Sequence, residues 1–230
     1  MSLTEAAYIL DPALWAREVL GLQPDPWQAE VLRSDARRIL LNCSRQSGKS
    51  TITSALALHT AIYRPGSLVL CLSPTLRQSG ELFHNVTRFY AVVAGKFPAA
   101  AESALRLELE NGSRIVSLPG QEQNVRGYAG VSLLVVDEAA RVPDDLYYSV
   151  RPMLAVSGGR LIALSTPFGK RGWFYHEWVE GQGWERHKIT ATDCPRITPE
   201  FLEEERRSMP AAWFAAEYMC EFTEAVDNVF

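Results

Sequence analysis

The sequence lacks any apolar run near the roughly 20 residues that a membrane-spanning helix requires. Residues 1–20 mix acidic, aromatic and small side chains, with no basic start followed by an apolar stretch, so they do not read as a secretory signal. No internal repeat and no low-complexity segment interrupts the chain. Its four cysteines, Cys43, Cys71, Cys194 and Cys220, are far apart and form no Cys-x-x-Cys pair. Neither they nor His59, His84, His176 and His187 show metal-ligand spacing, so reduced thiols are expected rather than a zinc site. Positive charge is also in short supply: the formal net charge is −4. That argues against a protein that coats DNA, which needs a positive surface, and leaves room for one that grips a strand through a few local loops. The expectation is a soluble intracellular protein with no membrane partner.

What is present is ordinary globular material. A length of 230 residues suits one α/β domain, alone or with a small appendage, and 47% hydrophobic content supplies its core. Helical periodicity around Leu14, Val19 and Leu20 is broken at Pro24 and Pro26, then resumes at Trp27, Val31 and Leu32. Short, wholly apolar strands are predicted at 39–43, 68–72, 133–136 and 160–164, with helices at about 50–63 and 78–93 between them. Such strands alternating with helices indicate a parallel sheet covered on both faces. Asn111-Gly112 between 105–109 and 114–118 predicts a hairpin. Two charged or amphipathic helices are predicted near the end, the first opened by Thr198-Pro199 and the second at 210–221.

The chemistry concentrates at two strand ends. The first strand runs into Ser44-Arg45-Gln46-Ser47-Gly48-Lys49-Ser50-Thr51, a tight loop opening into a helix. Backbone N–H groups at such a turn can surround phosphate oxygens. Gly48 permits close approach, Lys49 would reach the β- and γ-phosphates, and Ser50 would offer its hydroxyl to Mg²⁺. The usual GxxxxGK[ST] pattern has glycine first, where this chain has Cys43. Arg45 adds a cation that could touch or sense the phosphates. The second strand end, Val136-Asp137-Glu138, supplies the complement. Asp137 would hold Mg²⁺ through water, and Glu138 would polarise the attacking water as general base. The two motifs together predict binding and cleavage of a nucleoside triphosphate, ATP with Mg²⁺.

These residues resemble the large terminase subunits of tailed bacteriophages and related viruses. The loop from Ser44 to Ser50 looks like that family's variant phosphate loop, including the missing first glycine and the internal arginine. Pro26-Trp27-Gln28 resembles its upstream segment, Arg126-Gly127 its Arg-Gly before the catalytic glutamate, and Leu164-Ser165-Thr166-Pro167 its coupling motif. The resemblance runs from about Asp11 to the C-terminus. It implies that Gln28 reads adenine, that Ser165 and Thr166 sense the γ-phosphate or couple to motion, and that Arg126 is an arginine finger reaching a neighbour's ATP. Arg45 is the rival finger or sensor, and the sequence does not rank the two. It also implies double-stranded DNA, a homo-oligomeric ring, portal protein and small terminase subunit as partners, in the cytoplasm of the infected host cell. Full-length members are similar to a fusion of this motor with a metal-dependent nuclease. The chain stops at Asp227-Asn228-Val229-Phe230, about where the linker to that nuclease would lie, and Asp227 alone cannot hold two metals. No nuclease activity is therefore expected from it, as a fragment or a shortened product.

The expected fold is a P-loop NTPase of the ASCE type, with a mostly parallel central sheet flanked by helices over 1–172 and a small lid or linker subdomain over 173–230. Trp173, Phe174, Tyr175 and Trp178 fit packing of a lid helix better than base stacking. Phe168-Gly169-Lys170-Arg171-Gly172 reads equally as a phosphate-contacting or a solvated loop. The function these features predict is an ATP-hydrolysing motor that moves double-stranded DNA into a procapsid. The rival is a helicase-like or other DNA-remodelling ATPase.

Overall fold

The computed structural model describes residues 2–120, 125 and 127–224; Arg126 and the residues from 225 onward, Asp227 included, lie outside the described residues. Three short helices, α1 (Leu3–Leu10), α2 (Pro12–Glu18) and α3 (Pro26–Arg33), lead in. Asp11 caps α2 by accepting from the amides of Ala13 and Leu14, and Pro12 and Pro26 take first-turn positions where no amide donor is needed. Strand β1 (Arg38–Cys43) then runs through the phosphate loop into α4 (Lys49–Tyr63), followed by β2 (Leu68–Ser73) and α5 (Leu76–Val93). A hairpin region supplies β3 (Ala99–Ser103), β4 (Arg106–Leu109) and β5 (Arg114–Pro119). After them come β6 (Val131–Asp137), α6 (Asp144–Val150), β7 (Arg160–Ser165), α7 (Gly172–Val179), β8 (Glu185–Ile189), α8 (Pro199–Ser208) and α9 (Ala211–Glu217).

The strands form one sheet in the order β3-β4-β5-β2-β6-β7-β1-β8. Six strands from β5 to β8 are mutually parallel, and β3 and β4 extend the sheet antiparallel at one edge. The apolar runs at β1, β2, β6 and β7 are continuous because alternate residues fill different cores. Ile39, Leu41, Val69, Cys71, Leu133, Val135, Ile162 and Leu164 point to the face covered by α1–α5. Leu40, Leu70, Leu134, Val136, Leu161 and Ala163 point to the face covered by α6 and α7.

Two strands escape the sequence reading. In β3, Ala99–Ser103 is mostly exposed and alanine-rich, so it carries neither β-branched residues nor alternation. In β8, Glu185-Arg186-His187-Lys188 is charged like a surface segment, because it closes an edge. The position of β8 also changes the character of the region expected as a lid. Residues after Gly172 add a strand to the main sheet, and Trp173, Phe174 and Trp184 belong to its second core. Only the last part has a small core of its own, around Ala191, Leu202 and Phe214.

The packing role expected for the aromatic cluster is what the structure has. Trp173 stacks on Tyr147 with ring centroids 3.8 Å apart and 5° between planes, and its Nε1–H donates to the Val142 carbonyl at 3.0 Å. In the loop 168–172, Lys170 pairs with Glu224 at 2.9 Å. Trp173→Ala should cost about 3–5 kcal/mol in denaturant unfolding, the usual range for deleting a buried aromatic. A loss under about 1 kcal/mol would mean that the ring is not a core element.

Candidate nucleotide-binding site

Parallel pairing in register places the carboxyl ends of β1, β7 and β6 along one edge: Asn42 sits beside Ser165, and Asp137 beside Leu164. In open α/β sheets that edge is where ligands bind. The strand carrying Asp137 is not adjacent to the one feeding the phosphate loop; β7 lies between them. Helix α4 bridges the gap, so that the Ser50 hydroxyl donates to Asp137 at 3.3 Å. Lys49 Nζ lies 3.6 Å from Glu138 Oε1. Four of the sequence-predicted residues thus meet at one point.

The loop's backbone explains its sequence. Positive φ occurs at Gln46 (59°) and Gly48 (86°), not at Cys43. Cys43 is still strand, fully buried and in register with Ile189, so no glycine is required there. Gly48 needs its freedom twice, since a Cβ there would stand 2.8 Å from Gln28 Nε2. Ser44 is buried and its amide donates to the Ile189 carbonyl at 2.8 Å. Ser47 is buried too, and its hydroxyl has no hydrogen-bond partner among the described residues. Thr51 lines a recess beside the loop.

Asp137 is buried, and burial first, then the neighbouring Glu138 charge, raise its carboxyl from 3.8 to about 6. Lys49, the Glu138 amide and the Ser50 hydroxyl pull the other way. Oxygen donors from Ser50 and Asp137 facing each other across 3.3 Å are the hard ligands that suit Mg²⁺. Glu138 sits in the left-handed region with φ 48°, an uncommon conformation for a residue with a Cβ, and its amide donates back to Asp137 Oδ1 at 3.0 Å. Ser165 and Thr166 reach the same edge, both buried, with the Ser165 hydroxyl donating to the Thr166 carbonyl at 2.7 Å.

Gln28 has a partner at each end of its amide. Its Oε1 accepts from the Asp25 amide at 2.9 Å, and its Nε2 donates to the Ser47 carbonyl at 3.2 Å. One N–H and one lone pair remain. Arg45 is drawn outward: its Nε pairs with Glu217 and its Nη2 donates to the same carboxylate at 3.2 Å, which raises the guanidinium's affinity for its proton. Arg126 lies outside the described residues.

Several contributors were not read from the sequence. Arg196 grips Asp25 with both Nη atoms, at 3.0 and 2.7 Å, and its Nη2 also donates to the Ser47 carbonyl at 3.0 Å. Arg141 Nη1 stands 3.8 Å from Glu138 Oε2, and its guanidinium lies 4.4 Å from the Phe168 ring centroid. A recess of about 830 Å³ opens beside Gly48 and Thr51 and is walled by Arg196, Thr198, Phe201 and Tyr218. Arg141 carried a local signal, three residues after Glu138. Arg196, Phe201 and Tyr218 carried none, being distant in sequence from the loop.

Comparison with known proteins agrees with this geometry. The model of the family described as terminase large subunit, T4likevirus-type, N-terminal, matches residues 40–230. The terminase large subunit of Thermus virus P23-45 is 29% identical over 251 aligned residues, covering 93% of this chain and 51% of that protein. This chain therefore spans about half the length of such relatives. Among solved structures, the large terminase ATPase domain of Thermus phage P74-26 superposes with a TM-score of 0.82 at 26% identity, covering 93% of this chain and 100% of that one. The large terminase of another thermophilic bacteriophage, solved in complex with ADP, shares the fold with a TM-score of 0.69 at 16% identity, over 86% of this chain and 54% of that one. With a phosphate loop and an acidic strand end meeting across an intervening strand, and with the family model covering most of its length, this chain belongs to the terminase large subunit family, in its N-terminal domain.

Proposed function

We propose that this chain binds ATP with Mg²⁺ and hydrolyses it as the motor of a terminase that drives double-stranded DNA into a viral procapsid. The observation that carries the reading is the meeting of Lys49 and Ser50 with Asp137 and Glu138 at one sheet edge. An ATPase domain from a relative at 26% identity that superposes over 93% of this chain supports it. No observation at the site favours a helicase-like remodelling enzyme instead.

The residues divide the work by their chemistry. Lys49, with the amides of the loop from Gln46 to Ser50, holds the β- and γ-phosphates. On nucleotide binding its ammonium exchanges Glu138 for phosphate oxygen, which frees that carboxylate. Glu138 then orients the attacking water and takes its proton. Ser50 and Asp137 would hold Mg²⁺, which supplies neutralisation of charge on the phosphates. The 830 Å³ recess lined by Arg196, Phe201 and Tyr218 is the space next to the loop for the nucleoside. Gln28 reads the base edge with its remaining N–H and lone pair. Ser165, the last residue of β7, and Thr166 just after it, between the two motifs, sense the γ-phosphate. Arg126 acts as an arginine finger on a neighbouring subunit's nucleotide in a homo-oligomeric ring. Arg45, held by Glu217, is then the sensor within its own subunit. Portal protein and small terminase subunit complete the assembly in the infected host cell. No described helix is long and apolar enough to cross a membrane.

Three outcomes are expected. Glu138→Ala should reduce ATP turnover at least about 10²-fold while the protein still binds nucleotide, the scale for losing a general base; equal phosphate release from variant and parent would remove the enzyme reading. Asp137→Asn should abolish Mg²⁺-dependent turnover yet stabilise the nucleotide-free protein. The folded Asp137 holds its proton up to about 6, above its ordinary 3.8, so its ionised form penalises folding. That penalty is absent below the unfolded value, grows as pH rises between the two, and is full above about 6. Denaturant unfolding in a chelator at pH 8 should therefore favour the Asn variant by on the order of 1–3 kcal/mol, with no gain at pH 3.5. Arg126→Ala should keep ATP affinity and lower turnover by roughly 10³-fold or more. Mixing it with Glu138→Ala subunits should restore part of the rate, and unchanged turnover in Arg126→Ala would reject the finger.

A further inference from the structure

A second recess, of about 530 Å³, opens at the opposite edge of the sheet. Arg37, Arg38 and Arg151 line it, with Tyr148, Leu154 and Gly158. Arg38 is the first residue of β1, whose last residue, Cys43, enters the phosphate loop. The recess therefore lies a full strand length from the nucleotide site, roughly 17–20 Å at about 3.3 Å per residue.

Most arginines in this acidic chain have a carboxylate, a carbonyl or a ring. The side chains of Arg37 and Arg38 have neither an ion pair nor a hydrogen bond among the described residues. Arg151 is loosely held: its Nη1 stands 3.8 Å from Glu177 Oε1, and its guanidinium lies 5.4 Å from the Tyr147 ring centroid. That carboxylate is already engaged by the Tyr147 hydroxyl at 2.8 Å and Trp184 Nε1 at 2.7 Å. Beside the recess, Arg160 donates through Nε to the Ala36 carbonyl at 3.1 Å, while its Nη2 is buried without a partner. The acidic groups acting on Arg160 are Asp35 and Glu185, and Glu185 is itself held by His187 and Ser34. Guanidinium groups that line one recess without an anion of their own favour an anion that joins them. The fork geometry matches the paired oxygens of a phosphate.

The rim points to a large ligand. Tyr148 lines the recess and is 59% exposed, so its mouth carries a hydroxyl donor on an aromatic ring. Tyrosine hydroxyls and arginines are common donors to the sugar-phosphate backbone. We propose that this recess binds backbone phosphates of double-stranded DNA, through Arg37 and Arg38 with Arg151 and Tyr148 at the rim, on a surface separate from the nucleotide site. The inference rests on DNA being what the motor moves. It places one of the local basic contacts that a chain of net charge −4 must use in place of an overall positive surface.

The test is duplex binding to the whole chain by fluorescence anisotropy across a salt series. The series compares the parent, Arg37→Ala/Arg38→Ala, Arg37→Lys/Arg38→Lys, and Arg17→Ala as a control at an exposed arginine elsewhere. The double alanine variant should lose about tenfold or more in affinity, and its log–log salt slope should shrink by about 2, one for each phosphate that is no longer neutralised. The lysine pair should keep most of the slope, and Arg17→Ala should match the parent. ATP turnover without DNA should be unchanged in all of them. If the parent binds duplex and the double alanine variant binds with equal affinity and slope, the inference fails while the motor reading stands. A change in self-association without a change in DNA binding would mark the recess as a protein interface and overturn it. A parent that binds no duplex even at low salt would overturn both.

Discussion

Parallel pairing of β1, β7 and β6 is the constraint on which the candidate site depends. It carries three chemically different segments to one edge of the sheet, and it sets their separation by the width of the strand between. A one-residue slip in any of the three would exchange the two faces and expose a core half to water. The apolar alternation between the two cores therefore fixes the register. The register in turn fixes the distances of 3.6 Å between Lys49 and Glu138 and 3.3 Å between Ser50 and Asp137. Hydrophobic burial, which has no direction of its own, becomes positional here through the pleat.

The same burial sets folding and chemistry against each other. Asp137 ends a wholly buried strand, and among the described residues its carboxylate has a hydroxyl, its neighbour's amide and the charge of a lysine paired with Glu138. A fold selected for stability alone would place asparagine or an apolar residue there. Glu138, one step on, is held in the left-handed region, so cost has been accepted twice in two residues. Such local penalties are tolerable because the two large cores on either side of the sheet are well filled, down to the stacked pair of Tyr147 and Trp173.

The C-terminal part of the chain is the clasp of the phosphate loop. Arg196 holds Asp25 and the Ser47 carbonyl together, Gln28 meets the same carbonyl from the other side, and Glu217 takes Arg45. The Arg45 amide also donates to the Glu217 carbonyl at 3.2 Å. Movement of α9, which carries Glu217, or of the segment carrying Arg196 would thus be felt directly at that loop, through charge-assisted hydrogen bonds rather than through the distant body of the sheet.

Local sequence determined a good deal. The strand-loop-helix around Lys49, the apolar strand ending in Asp137 and the Asn111-Gly112 turn are all set by neighbours a few residues apart. Backbone sterics and periodic burial act at that range. Edge strands β3 and β8 were hidden because an edge needs only one partner and no apolar run, so their residues look like surface. Tertiary structure alone decided that Arg196 and Glu217 attend the phosphate loop from about 150 and 170 residues away. It alone decided that Gln28 braces that loop, that Trp173 is core, and that Arg37, Arg38 and Arg151 share a recess. The physical reason is that charges and hydrogen-bonding groups select partners by position in space. Those positions exist only once the apolar strands have taken their order in the sheet.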